Sequence, residues 1–185
     1  MTKKINIQAP LVWVDLEMSG LNPRKDVILE VALVVTDAQL NVIAAGPDLV
    51  IHQSEETFAS MDQWCQKQHK KTGLIEACLS SCCSIEQAQK EILIFLQQYC
   101  KPNESPLCGN SIWNDKAFLS VYMPDVIKFL HYRIIDVSSI KELVARWYLQ
   151  QYNDGFKKND QHRAMEDVYQ SIEELKWYRK NFFMP

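Results

Sequence analysis

Leu11-Val12-Trp13-Val14-Asp15-Leu16-Glu17-Met18 is an apolar run broken by only two polar residues. Its length and its β-branched and aromatic content predict a first buried strand over residues 11–17. Ser19-Gly20-Leu21-Asn22-Pro23 then predicts a turn-rich loop. Val27 to Thr36 is a second β-branched run containing one acid, Glu30, and Asp37-Ala38-Gln39 turns it into Asn41 to Ile51. That pairing predicts a hairpin which, with the first strand, starts an antiparallel sheet. From Met61 the spacing becomes helical, with Trp64, Gln68 and Lys71 on one line and Cys65 and His69 on another. Ser84-Ile85-Glu86-Gln87 offers a capping-box arrangement ahead of a helix bearing Ala88, Ile92, Phe95, Leu96 and Tyr99. Pro106 to Asn110 predicts a short strand, and Asp115 to Tyr122 a helix stopped by Pro124. Arg133 to Val137 predicts a further strand, and Ser138 or Ser139 caps a helix from Ile140 to Tyr148. Gln150 to Gln161 has little apolar content and predicts a mobile loop. A last helix from about His162 to Arg179 carries Val168, Ile172 and Leu175 at core spacing. Strands first, then helices interleaved with two more strands, predict an α/β fold: a mixed five-stranded sheet with helices on both faces. No repeat or linker divides the chain, so a single domain is expected over residues 1–185.

Composition narrows the classes. Apolar residues make up 47% and charged residues 23%, as in soluble globular folds. No stretch approaches the roughly 18 to 20 apolar residues of a membrane span, and no apolar core follows the basic start of a would-be signal peptide, so no membrane partner is expected. A net charge of −3 lacks the basic excess needed to grip long duplex nucleic acid. A nucleic-acid substrate should therefore be short, or held by a few placed contacts plus metal. None of the six cysteines forms Cys-x-x-Cys, and no histidine stands at zinc-finger spacing. Reduced, structural thiols and a cytoplasmic location are the expectation.

Candidate chemistry begins with the first strand. Side chains at i and i+2 of a strand point the same way, so Asp15 and Glu17 project together. Burying two unpaired anions side by side costs several kcal/mol or more, so a cationic partner is expected against them. Asp115 follows a short strand at the start of a helix, at the kind of sheet edge where α/β proteins place their sites. His162 and Asp167 stand five apart at the start of the last helix. Two divalent ions held by Asp15, Glu17, Asp115 and Asp167 would suit phosphodiester hydrolysis, with His162 taking a proton from water. Singly, each residue has a plain structural reading: a solvated strand face for Asp-x-Glu, a dipole-favoured acid for Asp115, a surface position for His162 and Asp167, core packing for Trp64. Glu30 and Asp136 read as structural or supporting groups.

The chain resembles the oligoribonuclease family, within the 3′→5′ exonucleases named for Asp-Glu-Asp-Asp ligands plus a catalytic His. The resemblance is carried by Trp13-Val14-Asp15-Leu16-Glu17-Met18-Ser19-Gly20-Leu21, by Cys108-Gly109-Asn110-Ser111-Ile112 with Asp115, by His131-Tyr132-Arg133 with Asp136-Val137-Ser138, and by His162-Arg163-Ala164-Met165-Glu166-Asp167. It implies a ribonuclease H-like fold, Mg²⁺ or Mn²⁺ dependence, homodimerisation, and very short RNA as substrate, released as 5′-mononucleotides. It implies that Asp15, Glu17, Asp115 and Asp167 hold two metal ions and that His162 is the general base. By the same resemblance Leu21 wedges against the bases, Trp64 stacks on one, and His69 lines the substrate site. Tyr132 would reach the neighbouring subunit's site, and Ser111, Arg133, Ser138 and Ser139 would cap the substrate's 5′ phosphate. Ser19 and Ser139 stand where the family commonly has Thr, and Lys116-Ala117 replaces a pair of arginines. A second reading is a related exonuclease acting on longer single-stranded RNA or DNA. A third is a catalytically silent binding module.

Overall fold

The alternating side-chain directions of the first, apolar strand sort the molecule into two apolar layers. The computed structural model describes residues 8–149, 155–156 and 163–183. Strands β1 (Leu11–Met18), β2 (Ile28–Thr36) and β3 (Val42–Val50) form the antiparallel start. Helices α1 (Glu55–Ser60), α2 (Gln63–Lys71), α3 (Leu74–Ser80) and α4 (Ile85–Tyr99) follow. Next come β4 (Pro106–Gly109), α5 (Ile112–Tyr122), α6 (Pro124–Phe129), β5 (His131–Asp136), α7 (Val137–Trp147) and α8 (Ala164–Phe182). The five strands lie in the order β3-β2-β1-β4-β5, with β1 antiparallel to β2 and parallel to β4.

Val12, Val14 and Leu16 face a core shared with Ile92 and Leu96 of α4 and with Phe118 and Leu119 of α5. Trp13 points to the other face and packs with Val144 of α7 and Val168, Ile172 and Tyr178 of α8. Helices thus cover both faces of the sheet. All nine residues of β2 are buried, as expected for a strand with neighbours on both sides and helices above and below. A third cluster, built on Leu29, Phe58, Met61, Cys65, Leu74 and Cys78, seats α1, α2 and α3 beyond the end of β2.

Several boundaries differ from expectation for local reasons. Pro124 stops α5 but opens α6, because a proline at the first helical position loses no needed N–H. Neither Ser138 nor Ser139 caps α7; Asp136 does, accepting from Ser138 N–H at 2.9 Å, so the helix starts at Val137. Helices α1 and α3 are short, and their sparse apolar positions carried no readable period. The predicted loop over residues 150–161, Gly155 and Phe156 apart, lies outside the described residues, as does His162. Among the described residues no helix is long and apolar enough to cross a membrane.

One buried contact sets α8 on the sheet. Glu30, fully buried on β2, receives Arg163 Nε at 3.0 and 3.1 Å and the Ala164 N–H at 3.2 Å. The carboxylate thereby satisfies an otherwise unpaired amide at the helix start, where the dipole also favours an anion. Removing the cation leaves a buried charge with less compensation than it needs. Arg163→Met is expected to lower the unfolding free energy by about 3 kcal/mol, and the double variant with Glu30→Leu by less than Arg163→Met alone. Urea unfolding measures both, and a loss under about 1 kcal/mol in Arg163→Met would refute the anchoring role.

Candidate active site

Asp15 and Glu17 leave β1 on the face covered by α8, as their spacing requires. In the β1–β2 register Asp15 lies opposite Ala32 and Glu17 opposite Glu30. The small Ala32 leaves room beside Asp15, and the Glu30–Arg163 anchor draws the first turn of α8 over this end of the strand. Asp167 lies in that turn, its N–H bonded to Arg163 O at 3.0 Å. Carboxylate oxygens of Asp15, Glu17 and Asp167 lie within 4.8 Å of one another.

Asp115 arrives from the opposite face. The β1–β4 ladder pairs Val12 and Trp13 with Leu107 and Cys108, and β4 ends at Gly109. The Leu16 N–H donates instead to Asp115 Oδ1 at 3.0 Å, which fixes this carboxylate at the end of the strand. Gly109 permits the close crossing, since a Cβ there would lie 2.8 Å from Val14 O.

Burial and mutual repulsion raise the proton affinity of the group. Glu17 is pushed up to about 8, first by burial and then by the charges of Asp167 and Glu30, against a lowering by Arg163. Asp115 is pushed up to about 7, chiefly by burial, while the Leu16 N–H pulls it down. A cluster of hard oxygen donors that resists ionising alone fits a hard divalent cation. His69 is 3% exposed; its Nε2–H donates to Met18 O at 3.0 Å and its Nδ1 lies 3.8 Å from Glu17 Oε2. It is buried beside Glu17 and also borders the adjoining groove.

Beside Glu17 opens a groove of about 380 Å³ bordered by Leu21, Trp64 and His69. Leu21 is 78% and Trp64 68% exposed, an apolar surface that needs a reason to face water. Both are held by their backbones. Asp62 caps α2 by accepting from the Trp64 and Cys65 N–H groups at 2.8 and 2.9 Å. The Leu21 loop is tied by Ser19 Oγ to Val27 N–H at 3.0 Å and by the Asn22 N–H to Asp26 Oδ2 at 2.9 Å. Gly20 leaves room for this tie, because a Cβ there would lie 2.5 Å from the Asp26 carboxylate and would displace it from the Asn22 N–H.

Ser111 and Ser138 meet beyond the C-terminal ends of β4 and β5. The Ser111 N–H donates to Ser138 Oγ at 2.9 Å and to Asp136 Oδ1 at 3.0 Å, with the two hydroxyls 3.2 Å apart. Ser111 holds φ of 50°, the left-handed region that a non-glycine residue rarely adopts. Ser139 is exposed on α7. Tyr132 and Arg133 are exposed on β5, the guanidinium 5.4 Å from the Tyr132 ring centroid, and Lys116 Nζ donates to Tyr132 O at 2.7 Å. Sequence reading missed Asn110, Ser171 and Glu174 beneath Ser138, and the pairing of Arg163 with Glu30. An acid at position 174, on the core-facing line of the last helix, was the one available signal.

Residues 12–175 match the RNase_T exonuclease family, which places the chain among the nuclease hydrolases, and the acidic cluster is in keeping with that class. The chain is 50% identical over 184 residues to the oligoribonuclease of Dichelobacter nodosus, covering 100% of this chain and 98% of that protein. It is 49% identical over 173 residues to the mitochondrial oligoribonuclease of Homo sapiens, covering 94% and 73% of the two chains. The chain belongs to the oligoribonuclease family of exonucleases. Its fold is similar to an Exonuclease I from Methylocaldum szegediense, at a TM-score of 0.66, 17% identity and 94% coverage. It is also similar to the zinc-bound E. coli Exonuclease I–single-stranded DNA complex, at 0.69, 16% and 95%. The chain spans about 41% of those longer proteins, and this likeness shows a shared ribonuclease H-like fold.

The raised carboxyls have a measurable consequence. Folded Glu17 and Asp115 keep protons up to about 8 and 7, whereas their ordinary values are 4.5 and 3.8. Between those limits the folded metal-free protein binds more protons than the unfolded chain, so its stability falls as pH rises from about 4 to about 8. Thermal melts in EDTA should show a melting temperature that declines over this window. Glu17→Gln should flatten the decline, and Mn²⁺ should raise the melting temperature most at the upper end. Equal slopes with and without Mn²⁺ would contradict the assignment of these acids to a cation site.

Proposed function

We propose that this protein is a 3′→5′ exoribonuclease that degrades very short RNA, down to dinucleotides, to 5′-mononucleotides. The observation that carries this reading is the gathering of Asp15, Glu17 and Asp167 within 4.8 Å, beside a groove bordered by exposed Leu21 and Trp64. Asp15, Glu17, Asp115 and Asp167 would hold two divalent ions, Mg²⁺ or Mn²⁺. When bound, such a pair polarises the phosphate and supplies a nucleophilic oxygen at neutral pH. The chain's own residues do the rest. His162, one residue before the Arg163 anchor, would take the proton from the attacking water as its general base.

Leu21 would wedge between the bases and Trp64 would stack on one, contacts that tolerate any sequence because every base has a π-face. Ser111, Arg133, Ser138 and Ser139 would hold the 5′ phosphate and so close the far end of the site to longer RNA. In this reading residues 1–185 form a single exonuclease domain, which acts as a cytoplasmic homodimer. Tyr132, 67% exposed on β5, would complete the neighbouring subunit's site. The net charge of −3 supports a short substrate over long strands.

One assay separates the readings. The protein is incubated with 5′-labelled RNA of two to about ten nucleotides, and with single-stranded DNA, in Mg²⁺ or Mn²⁺. Stepwise loss from the 3′ end, fastest on the shortest RNA, is expected. Faster digestion of long RNA or DNA would favour the broader exonuclease, and no turnover a silent binding module. Asp15→Asn is expected to lower the rate at least about a hundredfold while the protein still folds. Near wild-type rates in that variant would remove Asp15 from the site.

A further inference from the structure

We propose that Glu174 is a positioning residue for the 5′ end of the substrate: it ties the loop bearing Ser111 to the helix bearing Asp167. The inference rests on the short-RNA reading above and adds to it a device that aligns the two ends of the site.

Glu174 is 1% exposed, although burying a carboxylate is costly unless its oxygens are bonded. Its Oε1 accepts from Tyr178 OH at 3.0 Å, with Lys141 Nζ at 3.9 Å, and its Oε2 accepts from Asn110 Nδ2 at 3.2 Å. The same Nδ2 donates to Ser171 Oγ at 2.7 Å, and Ser171 in turn donates to Asp167 O at 2.8 Å. Asp167, Ser171, Glu174 and Tyr178 fall at i, i+4, i+7 and i+11, one line along α8. An acid of the metal-compatible cluster and the anchor of the serine loop therefore ride on one rigid rod, roughly 10 Å apart along its axis.

The carboxylate also sets the direction of the bonds above it. Both Glu174 oxygens accept, so the Asn110 amide turns its N–H groups toward α8 and its oxygen toward Ser138. Ser138 Oγ donates to that oxygen at 3.3 Å, which commits its proton. The Ser138 oxygen is then left to accept from the Ser111 N–H at 2.9 Å and from the Ser111 hydroxyl at 3.2 Å, so that both serines are held in one orientation at the 5′ end of the site. A glutamine at 174 has nearly the same shape but can donate, which permits the Asn110 amide to reverse and the order of protons to be lost.

The test compares Glu174→Gln and Asn110→Ala with the wild-type protein. KM and kcat are measured on 5′-phosphorylated and 5′-hydroxyl diadenylate, and Mn²⁺ affinity is measured by calorimetry. Preference for the 5′-phosphorylated form should fall about tenfold in both variants, the order of one charge-assisted hydrogen bond, and the change should lie in KM. Mn²⁺ affinity should stay within about twofold, which a general loss of structure would not leave intact. If Glu174→Gln does not fold, Asn110→Ala decides the question alone. A wild-type preference that survives in the variants, or one lost in step with Mn²⁺ affinity, overturns the positioning role. A wild-type protein with no preference for the 5′ phosphate instead overturns the cap on which the inference rests.

Discussion

Carboxylates gathered at the C-terminal end of β1 repel one another, and much of the structure is arranged to hold them there. Asp15 and Glu17 share a face by strand geometry, Asp167 is brought over them by α8, and Asp115 reaches the same strand from the other side. Glu30 and Asp48 add further acid nearby, and burial together with the Glu30 charge pushes the Asp48 carboxyl up. Arg163 opposes this charge from within the fold: it pairs with Glu30 and lowers the proton affinity of Glu17. What it does not offset is the excess at the cluster itself. A site whose acids remain partly protonated by burial is a site suited to a cation, and a hydrolase of phosphodiesters needs that cation in the same place.

Helix α8 links the acidic cluster to the serine loop. Its first residues meet Glu30, its first turn carries Asp167, and its next two turns carry Ser171 and Glu174 under Asn110. A displacement of this one helix would move the acidic cluster and the serine loop together. The opposite wall is held in another way, by a capped helix and a loop tied through Asp26, which fix the exposed Leu21 and Trp64 without burying them. The apolar wall is thus rigid in its backbone while its side chains face solvent, a combination suited to contact with bases.

Much of this was legible in the chain. Asp15-x-Glu17 in an apolar strand announced a pair of acids on one face, which the structure leaves half-buried, and β1 to β3 emerged as the antiparallel start that the apolar, β-branched runs predicted. Ser84 caps α4 with its Oγ accepting from the Gln87 N–H at 3.2 Å. Only this half of the expected capping box forms, because the Gln87 side chain donates to Glu91 Oε1 at 2.9 Å instead. The cap of α7 was read one turn late because Ser138 and Ser139 look like capping residues. Asp136 takes that role because its carboxylate also receives the Ser111 N–H from another element. Helix α6 was missed because a proline that ends one helix can begin the next.

Local physics acts over a few residues, and so the sequence alone determined the strands, the longer helices, the paired acids and their expected need for a cation. Pattern could not decide partners far apart along the chain. Glu30 lies 133 residues from Arg163, Leu16 lies 99 from Asp115, and Asn110 lies 64 from Glu174. Each of these contacts exists only because packing of the sheet and α8 brings the two ends together. A carboxylate's preference for donors is written in the residue, but which donor it meets is settled by the fold.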